Sequence, residues 1–144
     1  MIINEFELDH IGIAVSSLKE GEAFYKTLGL AEPRHESVSK EKVNVAIFGL
    51  GNSCNIELIE ASSRDSTIAK FIEKKGQGIH HICLRVTDLK KTLNELKGKG
   101  VNLIHEEPFV GAHNCLVAFI HPKSTGGVLI ELSQPAANNE VSKQ

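Results

Sequence analysis

The sequence lacks a long hydrophobic run and an excess of either charge. None of its apolar stretches approaches the roughly 20 residues that a helix needs to cross a bilayer. The 144 residues include 16 basic and 18 acidic side chains, a net charge of −2, which leaves no electrostatic footprint for nucleic acid or an anionic membrane. The first residues contain neither a basic segment nor a long apolar one, so we expect no signal peptide. These absences argue against membrane-bound, nucleic-acid-binding and secreted proteins.

Cysteine is also scarce, and its spacing argues against two kinds of structural cross-link. Cys54, Cys83 and Cys115 are odd in number, widely separated and never in a C-x-x-C pair. We expect reduced thiols in a cytoplasmic protein, and neither disulfide bonds nor a cysteine-ligated zinc. With 41% hydrophobic and 24% charged residues, the composition is typical of an ordinary globular protein with one domain of this length.

One short pattern occurs twice in the chain. Residues 8–18, LDHIGIAVSSL, return at 79–89 as IHHICLRVTDL, and residues 55–60, NIELIE, return at 129–133 as LIELS. The repeat pairs His10 with His81, 71 positions later, and Glu57 with Glu131, 74 positions later. A histidine and a glutamate therefore recur in the same order in each half, as expected of a duplicated structural unit.

The first segment of each repeat has the alternation of a β-strand. Ile11, Ile13 and Val15 lie on one face and His10 lies on the other, and residues 79–86 alternate in the same way. In both strands the histidine is opposite the large aliphatic side chains. We therefore expect one face to pack on helices and the histidine face to border a cavity.

A helix is predicted after each of these strands. Residues 17–20 have the form of a capping box, Thr87 or Asp88 can cap the second helix, and glycines end both. The apolar stripes are Leu18, Phe24, Tyr25 and Leu28 in the first helix and Leu89, Leu93 and Leu96 in the second. Both halves thus begin strand–helix.

Later strands complete the predicted fold. They are expected over 43–50, 54–60, 115–121 and 127–133, with one poorly defined strand before each pair. The fold class is therefore α+β, with two paired βαβββ modules over about 7–62 and 78–134. A linker helix over about 66–75 joins them, with a loop over 106–114. Residues 7–134 form one domain, followed by a polar tail over 135–144.

The four repeated side chains predict a metal site. If the strands of each half are close in the sheet, His10 and Glu57 face inward together, and duplication gives His81 and Glu131 the same disposition. Two imidazoles and two carboxylates without a thiolate suit a six-coordinate ion of cobalt, nickel, manganese, iron or zinc with open water positions. This donor set does not suit a closed structural zinc site.

These halves resemble the vicinal oxygen chelate (glyoxalase/bleomycin resistance/dioxygenase) superfamily over residues 7–134. Within it, GIHHI at 78–82 and HPKSTGGVLIEL at 121–132 are similar to the methylmalonyl-CoA epimerases, and EEP at 106–108 followed by GA at 111–112 agrees. The resemblance implies a glyoxalase-like fold, with curved mixed sheets enclosing a metal-binding cavity. It also implies His10, Glu57, His81 and Glu131 as metal ligands, an acyl-CoA substrate and a homodimer.

The implied reaction is epimerisation of (R)- and (S)-methylmalonyl-CoA through an enolate that a divalent metal stabilises. Inversion needs a base on each face, and we expect Glu131 on one and Glu57 on the other. A second acidic residue proposed as a base in some members falls near Ala46, which cannot transfer a proton. Some relatives also carry glutamine at the position of Glu57.

Two alternatives share the same four side chains. Glyoxalase I (lactoylglutathione lyase) uses a His-Glu-His-Glu set, but it usually has an Asp-Pro-Asp-Gly type of motif before its last glutamate and an early arginine, and this chain has neither. A non-catalytic small-molecule-binding protein of the superfamily would need no metal-activated proton transfer. Exchange of the substrate α-proton with solvent separates these possibilities.

Overall fold

The fold consists of two consecutive βαβββ segments joined by a helix. The computed structural model describes residues 5–135, and the described chain contains eight strands and three α-helices. The first segment comprises β1 (Glu7–Ala14), α1 (Leu18–Leu28), β2 (Arg34–Val38), β3 (Val43–Gly49) and β4 (Asn55–Ala61). After α2 (Thr67–Lys75) come β5 (Gly78–Arg85), α3 (Leu89–Gly98), β6 (Phe109–Val110), β7 (Leu116–Ile120) and β8 (Ile130–Gln134). The predicted α+β class and repeated element order are confirmed.

The chain divides into two compact units. The continuous unit is His10–His81, and the discontinuous unit combines Met1–Asp9 with Ile82–Gln144. Strands β1 and β5 each contribute residues to both. The predicted single domain over 7–134, with modules at 7–62 and 78–134, stays a prediction, and of the predicted tail 135–144 all but Pro135 lies outside the described residues.

The continuous unit is a four-stranded layer with a helix on each face. Its strands lie in the order β2-β3-β4-β1, with β1 parallel to β4 and the other pairs antiparallel. On one face Ile13 and Val15 pack with Leu58, Phe48 and helix α1. The opposite face carries Ala14, Val43, Val45, Ile47 and Ile59, which pack against Ile68, Phe71 and Ile72 of α2. Ala14 lies on the same face of β1 as His10. Helix α2 therefore covers the C-terminal end of the face that was expected to border a cavity.

The discontinuous unit has a simpler layer. Strands β5, β8, β7 and β6 lie side by side in that order, with β8 parallel to β5 and antiparallel to β7. Helix α3 covers one face through Leu89 and Leu93, which pack with Ala118, Ile120 and Leu132. Glu131 lies between Ile130 and Leu132 in β8, so its side chain points to the other face.

Helix boundaries follow from the capping residues that the sequence shows. The Ser17 side chain accepts a hydrogen bond from the Glu20 backbone N–H, and α1 ends at Gly29 with a left-handed φ of 109°. Ser66 and Asp88 cap α2 and α3 in the same way. Each predicted helix therefore begins within a residue or two of its expected position.

The predicted buried stripe of α1 is wrong in two of its four members. Leu18 and Tyr25 pack beside the core, but Phe24 and Leu28 are 62% and 63% exposed. The buried side chain of α1 is instead Glu22, which contacts the imidazole of His35 at 2.8 Å. A polar contact with a side chain of β2 therefore lies between Leu18 and Tyr25 on the buried face of α1, where the periodicity predicts apolar packing alone.

Two further expectations concern membranes and thiols. In residues 5–135 no helix is long and apolar enough to span a membrane. Cys54, Cys83 and Cys115 are free cysteines, as predicted.

Candidate active site

Strands β1 and β4 bring the first histidine and the first glutamate of the repeat together. The parallel register places Gly12 beside Glu57, and His10 lies two residues before Gly12 on the same face of β1. His10 and Glu57 are 6% and 3% exposed. The pairing of strands 45 residues apart thus buries an imidazole next to a carboxylate.

A second imidazole reaches this pair from the start of β5. His81 is 5% exposed, and its Nε2 lies 3.0 Å from Nε2 of His10. On the other side of the His10 ring, Nδ1 lies 3.3 Å from Oε2 of Glu57. Three of the four predicted site residues therefore meet in one chain of contacts inside the continuous unit.

The spacing of the two Nε2 atoms fits a shared metal ion. Histidine nitrogens bind ions such as zinc at about 2.0–2.1 Å. Two nitrogens in neighbouring positions of an octahedron at about 2.1 Å lie about 3.0 Å apart, which is the separation of the His10 and His81 atoms. The same separation suits a hydrogen bond between the rings. The buried pair therefore has the geometry that two ligands of one octahedral ion require.

Glu57 has the position of a carboxylate that orients a metal-binding histidine. Such histidines commonly donate their second ring N–H to a carboxylate, which fixes the tautomer and makes the ligand nitrogen more basic. Oε2 of Glu57 contacts Nδ1 of His10, the nitrogen away from His81. In this arrangement the carboxylate supports His10 from the side away from Nε2, so the role of Glu57 as a ligand of the same ion stays a prediction and requires the Glu57 side chain to turn.

His80 takes the corresponding place beside His81. Its Nδ1 lies 2.9 Å from Nδ1 of His81, and its ring meets Phe71 of α2 edge-on with the centroids 4.9 Å apart. Strand alternation predicts that neighbouring side chains point apart, which would place His80 opposite His81, on the helix side or in solvent. The His80 ring instead contacts Phe71 of α2, the helix that packs on the histidine face of β1, and it also reaches back to His81.

Gly12 makes room for the His81 ring. A Cβ built on Gly12 would lie 2.3 Å from Cε1 of His81, 2.6 Å from Nδ1 and 2.7 Å from Nε2. These distances are far inside van der Waals contact, so the imidazole packs directly on the β1 backbone. The repeat places a glycine in β1 where Cys83 stands in β5, and this asymmetry is the sequence signal for the close approach.

Glu131, the fourth predicted residue, lies in the discontinuous unit. It is 9% exposed in the centre of β8, paired in register with Cys83 of β5 and Phe119 of β7. Ser133 follows on the same face and is also buried, and its hydroxyl has no hydrogen-bond partner among residues 5–135. This face therefore presents a buried carboxylate and a buried hydroxyl.

His105 is a further polar group of the discontinuous unit that the sequence did not single out. Its Nδ1 accepts a hydrogen bond from the Phe119 N–H at 3.1 Å, and its ring packs against Phe109 and Phe119. Burial lowers the pKa of His105, and the charge of Glu131 opposes that shift. The hydrogen-bond donor to His105 is the backbone of Phe119 in β7, 14 residues later in the chain, so the local sequence around His105 does not reveal it.

Two observations limit where the chemistry can take place. Ala46 is fully buried in the apolar cluster under α1, so that position contributes no proton-transfer group. The continuous unit also has a cleft of about 430 Å³, lined by residues that include Ile13, Gly21 and Gln77. Neither His10, Glu57 nor His81 lines this cleft, which therefore differs from the histidine site.

Known proteins have similar sequences and a similar fold. A family model described as the Glyoxalase/Bleomycin resistance protein/Dioxygenase superfamily matches residues 9–119. The Bacillus subtilis protein YqjC is 48% identical over 129 residues, which cover 89% of this chain and 91% of that protein. Human mitochondrial methylmalonyl-CoA epimerase is 41% identical over 129 residues, 88% of this chain and 73% of the human protein. A Streptomyces coelicolor methylmalonyl-CoA epimerase variant in complex with 2-nitronate-propionyl-CoA is 32% identical with a TM-score of 0.86, covering 91% and 95% of the two chains.

Proposed function

Because the chain belongs to the glyoxalase/bleomycin resistance/dioxygenase superfamily and, within it, to the methylmalonyl-CoA epimerases, we propose that it interconverts (R)- and (S)-methylmalonyl-CoA with a divalent metal ion. The observation that carries the metal dependence is the buried His10–His81 pair, whose Nε2 atoms are 3.0 Å apart. Relatives named for this reaction, and a structural neighbour holding an acyl-CoA analogue, support the substrate.

The proposed ligands are His10, His81, Glu57 and Glu131. Two imidazoles and two carboxylates suit cobalt, nickel, manganese or zinc with positions left for substrate or water. When bound, the ion supplies Lewis-acid stabilisation of the negative charge that develops on the thioester oxygen. The repeat of a histidine and a glutamate in each half supports Glu131 as the counterpart of Glu57.

The two glutamates supply the proton transfers. The hydrogen to be moved is on the carbon between the thioester and the carboxylate of methylmalonyl-CoA. A carboxylate bound to a cation is a weak base, so each glutamate would have to leave the ion before it exchanges a proton. Glu131 would then accept this proton on one face, and Glu57, released from the ion and protonated, would return a proton to the same carbon on the other face. One carboxyl group gains a proton and the other loses one, so the forward reaction leaves the protein ready for the reverse. The symmetric placement of the glutamates in the repeat suits this exchange.

A hydrogen-exchange experiment tests the activity. Methylmalonyl-CoA is incubated with the protein in D₂O, and the signal of its α-hydrogen is followed by proton NMR. We expect the signal to disappear, EDTA to stop the loss, and one of the four ions to restore it. If metal-loaded protein exchanges no α-hydrogen, the epimerase proposal is wrong. Turnover of the methylglyoxal–glutathione adduct without exchange in the CoA ester would assign glyoxalase I instead.

Glutamine variants test the bases. Glu131→Gln keeps an oxygen donor and the side-chain shape but cannot accept a proton, so we expect metal to remain bound while the rate falls about 10²–10⁴-fold. Glu57→Gln is the matched variant, and an equal loss would place Glu57 on the opposite face. A milder loss would leave Glu57 as a ligand only. Full metal content with more than about a tenth of the wild-type rate in Glu131→Gln would remove Glu131 from the mechanism.

The proposal also includes the assembly and the location. The resemblance implies a homodimer with an acyl-CoA as its small-molecule partner. The few unpaired cysteines favour the cytoplasm, and the net charge of −2 argues against a nucleic-acid partner. Light scattering on the purified protein measures its molecular mass and therefore tests the homodimer directly. A mass of one chain, 15.7 kDa, across the working concentration range would exclude the dimer.

A further inference from the structure

We propose that His80 is a positioning residue that holds the His81 imidazole in the orientation a metal ligand needs. The inference rests on the metal dependence proposed above, and it assigns a role to a residue outside the set of ligands. It starts from one contact, Nδ1 of His80 to Nδ1 of His81 at 2.9 Å.

The contact is unusual for neighbours in a strand. Successive side chains of a strand point to opposite faces, so two adjacent imidazoles do not normally meet. Here the rings stand nearly perpendicular, at 89°, with centroids 5.1 Å apart. Phe71 packs edge-on against the His80 ring at 84°, which supports it from helix α2. The half-buried His80 ring is thus supported from α2 while it reaches His81.

Proton positions on the two rings follow from the role of His81. A nitrogen that binds a metal carries no proton, and Nε2 of His81 is the atom that faces Nε2 of His10. The neutral His81 ring must then carry its proton on Nδ1. That N–H donates to Nδ1 of His80, whose own proton is on Nε2. His80 is therefore an acceptor that selects the metal-binding tautomer of His81.

The two ligand histidines are supported by different partners. Nδ1 of His10 faces a carboxylate, Glu57, whereas Nδ1 of His81 faces an imidazole. An imidazole accepts the hydrogen bond without adding a negative charge beside the site. The repeat places Asp9 where His80 stands in the second copy, so this support is particular to the second half.

Two substitutions separate hydrogen bonding from packing. His80→Phe keeps a flat ring for Phe71 but removes the acceptor, whereas His80→Asn loses the ring but can place an amide oxygen near the position of Nδ1. Both proteins are stripped with EDTA and titrated with Co²⁺ against a competing chelator, and thermal unfolding of the metal-free forms is recorded. We expect His80→Phe to lose about 10–100-fold in Co²⁺ affinity, the usual effect of removing such a partner. His80→Asn should regain most of that loss.

A measurement on the unmodified protein gives an independent readout. With Zn²⁺ bound and the imidazoles labelled with ¹⁵N, NMR should show His81 protonated on Nδ1 and His80 protonated on Nε2. This result does not depend on the folding of a variant. The opposite tautomer of His81 in the zinc form would overturn the proposal.

The outcomes also distinguish this proposal from the function on which it rests. Wild-type protein that binds neither Co²⁺ nor Zn²⁺ would end both. Wild-type binding with a His80→Phe affinity within about threefold of it would end the role of His80 alone. Equal losses in His80→Phe and His80→Asn would assign the effect to packing.

Discussion

A methyl group at residue 12 would occupy space that the His81 imidazole already fills. In Gly12→Ala the new Cβ would meet Cε1 of His81 at 2.3 Å, where non-bonded carbons normally stay about 3.5–4.0 Å apart. Gly12 is not among the residues with positive φ, so alanine suits its backbone conformation. The whole effect of the substitution therefore comes from the clash with the ring.

The size of the clash sets the expected loss. The His81 ring must move by more than about 1 Å to restore normal contact, whereas metal–ligand distances hold to within about 0.2 Å. A misplacement of about 1 Å in a functional group commonly costs about 10²-fold. We expect Gly12→Ala to lose at least this factor in metal affinity and in the rate of α-hydrogen exchange. Overpacking should also lower the free energy of unfolding by about 1–3 kcal/mol.

Metal analysis after reconstitution and chemical unfolding measure the two effects separately. Gly49→Ala is the matched control, because it makes the same chemical change in a strand and its Cβ would meet nothing closer than Oδ1 of Asn55 at 3.8 Å. It should bind metal like the wild type. Gly12→Ala protein that binds metal within about tenfold of the wild-type affinity would show that the position of the His81 ring does not matter for the site.

Three further substitutions test other parts of the fold. Gly98→Ala, in the exposed last turn of α3 where a Cβ meets nothing within 4 Å, should raise the free energy of unfolding by about 0.5–1 kcal/mol in a denaturant titration. Ser133→Ala removes a buried hydroxyl without a partner, so thermal unfolding should show unchanged or greater stability; a loss above about 1 kcal/mol would mean that the hydroxyl is bonded. Hydrogen bonds from Lys42 and Ser63 lower the pKa of Asp65 from 3.8 to about 2, so its ionised form stabilises the fold above pH 4 and loses that effect as the pH falls toward 2. Acid unfolding of Asp65→Asn should accordingly depend less on pH across that range.

The repeat in the sequence was enough to predict the order of elements, because it combines two independent signals. Alternation marked β1 and β5, and polar residues at 17 and at 87–88 marked the starts of α1 and α3. The second half repeated each feature, which made a chance pattern implausible. The same repeat identified the three site residues that now meet in the continuous unit.

The sequence failed where a contact depends on a distant partner or on space. Phe24 and Leu28 have helical spacing, but the position of α1 on the sheet leaves them exposed. His80 was assigned by strand parity alone, and parity does not describe a ring that α2 supports from the side. The repeat marks Gly12 only by its difference from Cys83, and the position of the His81 ring is needed to show why residue 12 is small.

The division of the chain into units also bears on the order in which the protein is assembled during synthesis. A chain made from its N-terminus has every strand of the continuous unit available once residue 81 has emerged. The discontinuous unit must wait about 50 residues longer for β8, and it also needs residues from the beginning of the chain. His10, Glu57 and His81 can therefore come together on the ribosome before Glu131 has been translated. A nascent chain at that stage already carries two imidazoles and a carboxylate at one place, and it can capture an ion before the last proposed ligand exists.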